Sequence, residues 1–177
     1  SLAGTGLAVV GDAAPYTAIL RTAGRRADAV DVIDDRIERI AEFVFDHARV
    51  DGLTLAVIEG ASHGSRGGSS WDRAGLWWRI VHGLLARDIP VAVCPPKTRA
   101  KWATGVGGGP RATKPLVAVA VAKLWPDVEA ESDDGFDALG MATMGAQHLG
   151  LDVPSRAHHA AARSAVAWPD IPAGVAA

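Results

Sequence analysis

The stretch LTLAVIEG, Leu53 to Gly60, is short, apolar and closed by an acid and a glycine. A run of this length bounded by turn residues reads as a buried strand. IPVAVCPP, Ile89 to Pro96, reads the same way and is stopped by its two prolines. Between them, WDRAGLWWRIVHGLLARD places Trp77, Ile80, Val81 and Leu84 on one helical stripe. Strand, helix and strand in succession supply the parallel part of a sheet. In open α/β sheets, ligands gather outside the carboxyl ends of such strands. Glu59 sits at one of those ends, where an apolar strand has no structural need for a carboxylate.

Upstream, TGLAVVGD (Thr5–Asp12) and YTAILRT (Tyr16–Thr22) are predicted to form a hairpin. DDRIERIAEFVFDHARV carries apolar residues at 37, 40, 41, 44, 45 and 48, which is helical spacing. Downstream, KTRAKWATGVGGGPRAT reads as a basic, glycine-rich connection. KPLVAVAVAKLW reads as a helix with Pro115 in its first turn, and DGFDALGMATMGAQHLG as another ended by Gly150. The fold class is therefore α/β, a mixed sheet flanked by helices. Residues 1–150 are expected to form one domain. Residues 151–177 are expected to form a tail with one short helix that then frays.

Composition narrows the function classes. The chain has 177 residues, 49% of them hydrophobic and 21% charged, as a globular domain does. No apolar run approaches the roughly 18 residues that a membrane span needs. The opening residues lack the basic segment of a signal peptide, and the chain begins with Ser1 rather than Met, as a fragment or a processed chain would. Cys94 is the single cysteine, which excludes an internal disulfide and any cysteine-rich zinc site. A cytoplasmic location fits. Cys94 itself is expected to be a small buried hydrophobe.

The formal net charge of −2 hides an asymmetry. From Gly60 to Ala120 nine basic residues face two acids, for a net +7, while the remainder carries −9. A basic face of that kind suits a nucleic-acid partner, although ordinary solvated charge gives the same count.

ESDDGFDALGMA, Glu131 to Ala142, opens an apolar helix with acids. Ser132 and Asp133 suit an N-cap. Asp137 lies a turn further in, and residues three apart on a helix have Cβ atoms roughly 5–6 Å apart. Asp134 and Asp137 therefore share a face, which is unfavourable unless a cation relieves them. With Glu59 they make three carboxylates free of His or Cys, a set that favours Mg²⁺ or Mn²⁺. Two such ions roughly 4 Å apart can activate water and stabilise the leaving oxygen of a phosphodiester.

SLAGTGLAVV, VIEG, KWATGVGGGPRATK and DDGFDALGMA occur in the order found in RuvC-type Holliday junction resolvases, and the chain resembles that family from Ser1 to about Gly150. The resemblance implies an RNase H-like fold. It also implies a homodimer that binds four-way DNA junctions in recombination and repair and nicks them with Mg²⁺ or Mn²⁺, two ions per site. Glu59, Asp134 and Asp137 match metal-binding catalytic acids. Lys114 matches a catalytic basic position, and Lys101, Lys114, Arg111 and Arg66 are expected to contact DNA. Gly105 and Gly107 match the loop glycines where backbone approaches phosphate. The composition, rich in Ala, Gly, Val and Arg, points to a GC-rich bacterial or phage genome.

Two departures from the pattern matter. The family's first aspartate falls two residues upstream of Ser1, so this chain is expected to be a poor or inactive nuclease. A chain extended to restore that residue is expected to cut. The loop after Glu59 carries no aromatic wedge before Trp71, which is expected either to stack on DNA or, rather better, to staple the second helix. Trp78 is expected to point away from Trp77, toward a dimer interface. His63 reads as a polar loop residue, and His158 and His159 as solvated. Other readings are a nuclease for other branched DNA or RNA, and a junction-binding protein without catalysis. A sugar-kinase or actin-type ATPase would need a second phosphate-binding hairpin and a longer chain.

Overall fold

The computed structural model describes residues 2–25, 27–60, 70–107 and 109–171, apart from the side chains of 49–51. The elements are β1 (Gly4–Val9), β2 (Tyr16–Arg21), α1 (Val30–Asp51), β3 (Ala56–Glu59), α2 (Ser70–Leu85), β4 (Val91–Cys94), α3 (Pro96–Thr104), α4 (Lys114–Ala122), α5 (Asp133–Leu149) and α6 (His159–Arg163).

β1 and β2 pair antiparallel, with Gly4 opposite Arg21 and Val9 opposite Tyr16. β3 and β4 pair parallel, with Glu59 opposite Cys94. The expected α/β class and both strand directions are therefore present. Among the described residues, however, the two ladders are not hydrogen-bonded to each other, so the sheet stands in two pieces. α5 spans them, packing on β1, β2 and β3. Glycines make that possible. A Cβ on Gly6 would lie 2.2 Å from the backbone oxygen of Asp134, and one on Gly145 would lie 2.9 Å from a Val57 methyl. Only bare backbone lets helix and strands approach this closely.

Two apolar clusters hold the layers. One joins β4, α3, α4, α5 and the tail through Trp102, Val117, Val121, Leu139, Met144 and Ala162. The other joins α1 to α2 through Ile40, Phe45, Ile80 and Leu84. The apolar stripe expected of α1 is the buried one, with Ile40, Ala41 and Phe45 all sealed from solvent. Across the top of this pair, Arg79 donates to both oxygens of Glu38 at 2.6 and 2.9 Å. Cys94 is fully buried, as expected, and burial pushes its thiol up to about 11.

Several expectations are corrected. The connection after β4 contains a helix, α3. Pro96 suits its first turn, Ala100, Trp102 and Ala103 bury its inner face, and Gly105, at φ 80°, ends it by donating to Lys101 O at 2.8 Å. α1 begins at Val30, before the periodic pattern starts, because Val30 and Val32 are exposed and carry no core-facing signal. The tail does not fray up to residue 171. Ala167 bridges to Val93 beside β4, and Trp168 stacks on His148 with ring centroids 4.1 Å apart. His159 is fully buried rather than solvated, because Trp102 stacks on it and Gln147 bonds it. His158 is half-buried, with Nε2 2.9 Å from Trp102 O. Trp71 is 86% exposed, so among the described residues it does not staple α2. Trp77 is only half-buried, because its indole N–H turns to Glu59. Ser132 occupies the N-cap position of α5, yet its hydroxyl makes no capping bond. Its carbonyl instead accepts from the N–H groups of Gly135 and Phe136.

Candidate active site

Three elements converge where β3 ends. β3 delivers Glu59, α5 delivers Asp134 and Asp137 from successive turns, and the first turn of α3 delivers Arg99. Arg99 Nη1 lies 2.9 Å from Glu59 Oε1 and 2.7 Å from Asp137 Oδ2. One nitrogen thus bridges two carboxylates. Lys114, at the start of α4, places Nζ 2.5 Å from Asp134 Oδ1. The sequence argument that two acids on one helical face need a cation is answered here by two side chains.

Burial separates the acids. The Asp137 side chain is 7% exposed, against about two-fifths for Glu59 and Asp134. Burial pushes the Asp137 carboxyl up to about 6. Arg99 and Lys114 oppose that shift, and Glu59 and Asp134 add to it. Among the described residues its Oδ1 is buried with no hydrogen-bond partner, and so is Nε of Arg99. The Lys114 ammonium is held above its usual range, chiefly by its bond to Asp134.

The backbone around these groups is fixed. The Trp77 indole donates to Glu59 O at 3.0 Å, which pins the end of β3 against α2. A Cβ on Gly4 would lie 3.3 Å from Asp134 Oδ2, so β1 runs past the same carboxylates. The acids line a cleft of about 1490 Å³ that β1, β3 and α5 share.

Among the described residues, no group of three or more His, Cys, Asp or Glu side chains is gathered closely enough to hold a metal. Two oxygens, from Glu59 and Asp137, nevertheless point at one cation, and the unpartnered Asp137 Oδ1 is a third available donor atom. An all-oxygen set of this kind fits a hard divalent ion that keeps several of its own waters.

The structure brings Glu59, Asp134, Asp137 and Lys114 together. Lys101 and Arg111 are exposed, on α3 and on the loop after it. Gly105 ends α3 with a left-handed φ of 80°, with His158 behind it. Gly107 is exposed beside Lys101. Arg66 and His63 lie outside the described residues.

Sequence reasoning missed Arg99 as part of the site. A signal existed, since Arg99 follows a strand end by one helical turn and so sits at the same carboxyl edge as Glu59. The roles of Trp77, Gly4 and Gly6 were also missed, although glycines inside a strand mark close backbone approach.

Neither a family model nor a curated protein matches the chain. Solved structures do. The RuvC structure of Thermus thermophilus is 16% identical, with a TM-score of 0.64 over 87% of this chain and 95% of that one. T. thermophilus RuvC in complex with Holliday junction substrate is also 16% identical, with a TM-score of 0.64 over 86% of this chain and 93% of that one. With its α/β element order and a likeness that spans most of both chains, this protein has the RuvC-type, RNase H-like fold, and Glu59, Asp134 and Asp137 line its cleft.

Proposed function

We propose that the chain is a structure-selective DNA endonuclease that nicks four-way junctions by divalent-metal-dependent hydrolysis of a phosphodiester. The observation that carries this reading is the convergence of Glu59 Oε1 and Asp137 Oδ2 on a single cationic nitrogen, on a RuvC-type fold. The solved complex of T. thermophilus RuvC with a Holliday junction supports the choice of substrate.

Glu59 and Asp137 would hold Mg²⁺ or Mn²⁺, with Asp134 as the third acid. Two ions per site are part of the proposal. Bound there, a divalent ion makes water a better nucleophile and offsets charge on the leaving oxygen. Trp77 holds Glu59 in register through its backbone carbonyl. Lys114, half-exposed and next to Asp134, is placed to meet a phosphate oxygen. Lys101 and Arg111 track the phosphate backbone, which makes binding steeply salt-dependent. The same role is proposed for Arg66, Gly105 and Gly107.

A homodimer is part of the proposal, since a symmetric junction needs two sites. It is supported by α2, whose outer face exposes Trp71, Trp78 and Leu85 at seven-residue spacing. Aromatic residues on one stripe are what interfaces favour. Among the described residues no helix is long and apolar enough to cross a membrane. A cytoplasmic location is proposed.

A second reading, junction binding without cleavage, is favoured by one observation: Arg99 and Lys114 already neutralise the acids. End-labelled four-way junctions with Mg²⁺ separate the two. The arms are this chain, the chain with an aspartate-bearing extension ahead of Ser1, and that extension carrying Asp137→Asn. Paired symmetric nicks that Asp137→Asn abolishes are the expected result. Tight junction binding without nicks in every arm leaves the binding reading. Absence of binding overturns both.

A further inference from the structure

Arg99 stands inside the carboxylate site rather than beside it. Its side chain is 13% exposed, and Nη1 alone contacts both Glu59 and Asp137, at 2.9 and 2.7 Å. A guanidinium that serves as a structural clamp normally engages one carboxylate with two parallel N–H groups. Here a single nitrogen is shared between acids from different elements, and Nε is left buried without a partner. That is how a small bridging cation is held. It is a poor use of a fork.

We propose that Arg99 is an internal counter-ion that competes with the divalent cation for Glu59 and Asp137. The inference rests on the metal-dependent reading above. Asp137, 7% exposed, cannot carry a charge without a partner close by, and among the described residues Arg99 is the cation at contact distance. A divalent ion takes carboxylate oxygens at roughly 2.0–2.1 Å, inside the position of the guanidinium nitrogen. Two cations cannot share the same two oxygens at those distances without strong repulsion. A metal seated on the oxygens that Arg99 holds, Glu59 Oε1 and Asp137 Oδ2, therefore requires Arg99 to withdraw, and the chain binds metal more weakly than its acids alone would. Lys114 imposes no such barrier, because both it and Asp134 are roughly half-exposed and the pair opens into water.

The test is Mn²⁺ binding by the full chain, read from the electron paramagnetic resonance signal of free Mn²⁺, with no DNA and no turnover. Arg99→Gln is expected to bind Mn²⁺ at least about tenfold more tightly than the unaltered chain, the equivalent of roughly 1.4 kcal/mol. Arg99→Lys, which keeps the charge, is expected to remain weak, and Asp137→Asn to bind least. Equal or weaker binding by Arg99→Gln, with Asp137→Asn still impaired, overturns the competition and leaves the metal site standing. No Mn²⁺ binding by any variant overturns the metal reading and the inference together.

A second measurement is read on the unaltered chain. In the unaltered chain, the side-chain Nη resonance of Arg99 is expected to be restrained and shifted without metal, and to move to the free-arginine position as diamagnetic Mg²⁺ is added. Arg99→Lys assigns that resonance by removing it. A resonance that stays put at saturating Mg²⁺ overturns the proposal.

Discussion

At its N-terminal end α5 presents Asp134 and Asp137 to Lys114 and Arg99, whereas at its C-terminal end Gln147 and His148 meet His159, Arg163 and Trp168. The first end is built from full charges, partly open to solvent, with Asp137 Oδ1 left unpartnered. The second is built mostly from aromatic and amide groups knitted to backbone, with one cation, Arg163, and with His159 Nε2 and Arg163 Nε unpartnered among the described residues. Gln147 accepts from the Trp102 indole at 3.1 Å and donates to Pro154 O at 2.6 Å. Arg163 donates to the Gln147 carbonyl, and the Trp168 indole donates to Arg163 O at 3.0 Å. Trp102 stacks on His159 with centroids 4.1 Å apart. One helix therefore has an end whose partners can be exchanged and an end whose partners cannot.

If so, damage to the closed end should cost stability first. Trp102 is fully buried, stacks on His159 and bonds Gln147. Trp102→Ala is expected to destabilise the chain by about 4 kcal/mol, from the cavity together with the lost partner. Urea unfolding measures it. A loss under about 1 kcal/mol would mean that the tail cluster does not anchor α5.

Gly6 tests the join between the helix and β1. A Cβ there would meet Asp134 O at 2.2 Å and Asp134 C at 2.5 Å, and these are backbone atoms that cannot swing aside. Gly6→Ala is expected to cost about 2–3 kcal/mol by overpacking. It should also displace Asp134 and Asp137 and reduce Mn²⁺ binding, which Trp102→Ala should leave largely intact in its folded fraction. Calorimetry and metal titration on both variants compare the two ends directly.

The open end was the more legible one. Glu59, Asp134 and Asp137 are acids inside apolar runs, a pattern that packing does not produce, so the residues announce themselves. Their cationic partners do not. Arg99 lies in a stretch rich in Lys, Arg and Gly that reads as a solvated loop. The helix that carries it buries only Ala100, Trp102 and Ala103, too little for its periodicity to show. The closed end was read as a frayed tail with solvated histidines. Its burial depends on contacts between residues far apart in the chain, such as His158 with Trp102 and Ala167 with Val93, and local pattern does not record these. The two-ladder sheet escaped for the same reason: strands are local, their pairing is not.

The two ends should also titrate in opposite senses. Burial holds the His159 imidazole down to about 4, helped by the nearby charges of His158, Arg156 and Arg163. Between about pH 6.5 and 4 the unfolded chain takes this proton and the native one does not, so stability falls as pH falls. Asp137 is raised to about 6 by burial, against Arg99 and Lys114 and with Glu59 and Asp134. Between about pH 4 and 6 the native chain holds that proton and the unfolded one does not, so stability falls as pH rises. Each contribution is on the order of 3 kcal/mol, and in the intact chain they largely cancel. With metal removed by chelator, His159→Phe is expected to leave a stability that declines from pH 4 to 6. Asp137→Asn is expected to leave one that climbs. Equal pH profiles for the two variants would show that the ends are not distinct in this way.

The smallest stability effect belongs to Asp134, and that is what makes it informative. Its ion pair with Lys114 is short, at 2.5 Å, but the side chains are 40% and 48% exposed. Pairs this open contribute less than about 1 kcal/mol, because water competes for both partners. Asp134→Asn keeps the shape, keeps an oxygen for Lys114 and removes the charge. Its melting temperature should match the unaltered chain, while junction cleavage by a cutting-competent chain should drop by about a hundredfold or more, since a carboxylate is lost where charge is handled. Trp102→Ala should do the reverse, losing stability while its folded fraction keeps its rate. A variant of Asp134 that is destabilised as much as Trp102→Ala would make the N-terminal acids part of the scaffold. Separation of the two phenotypes along a single 17-residue helix would place chemistry at one end and anchorage at the other.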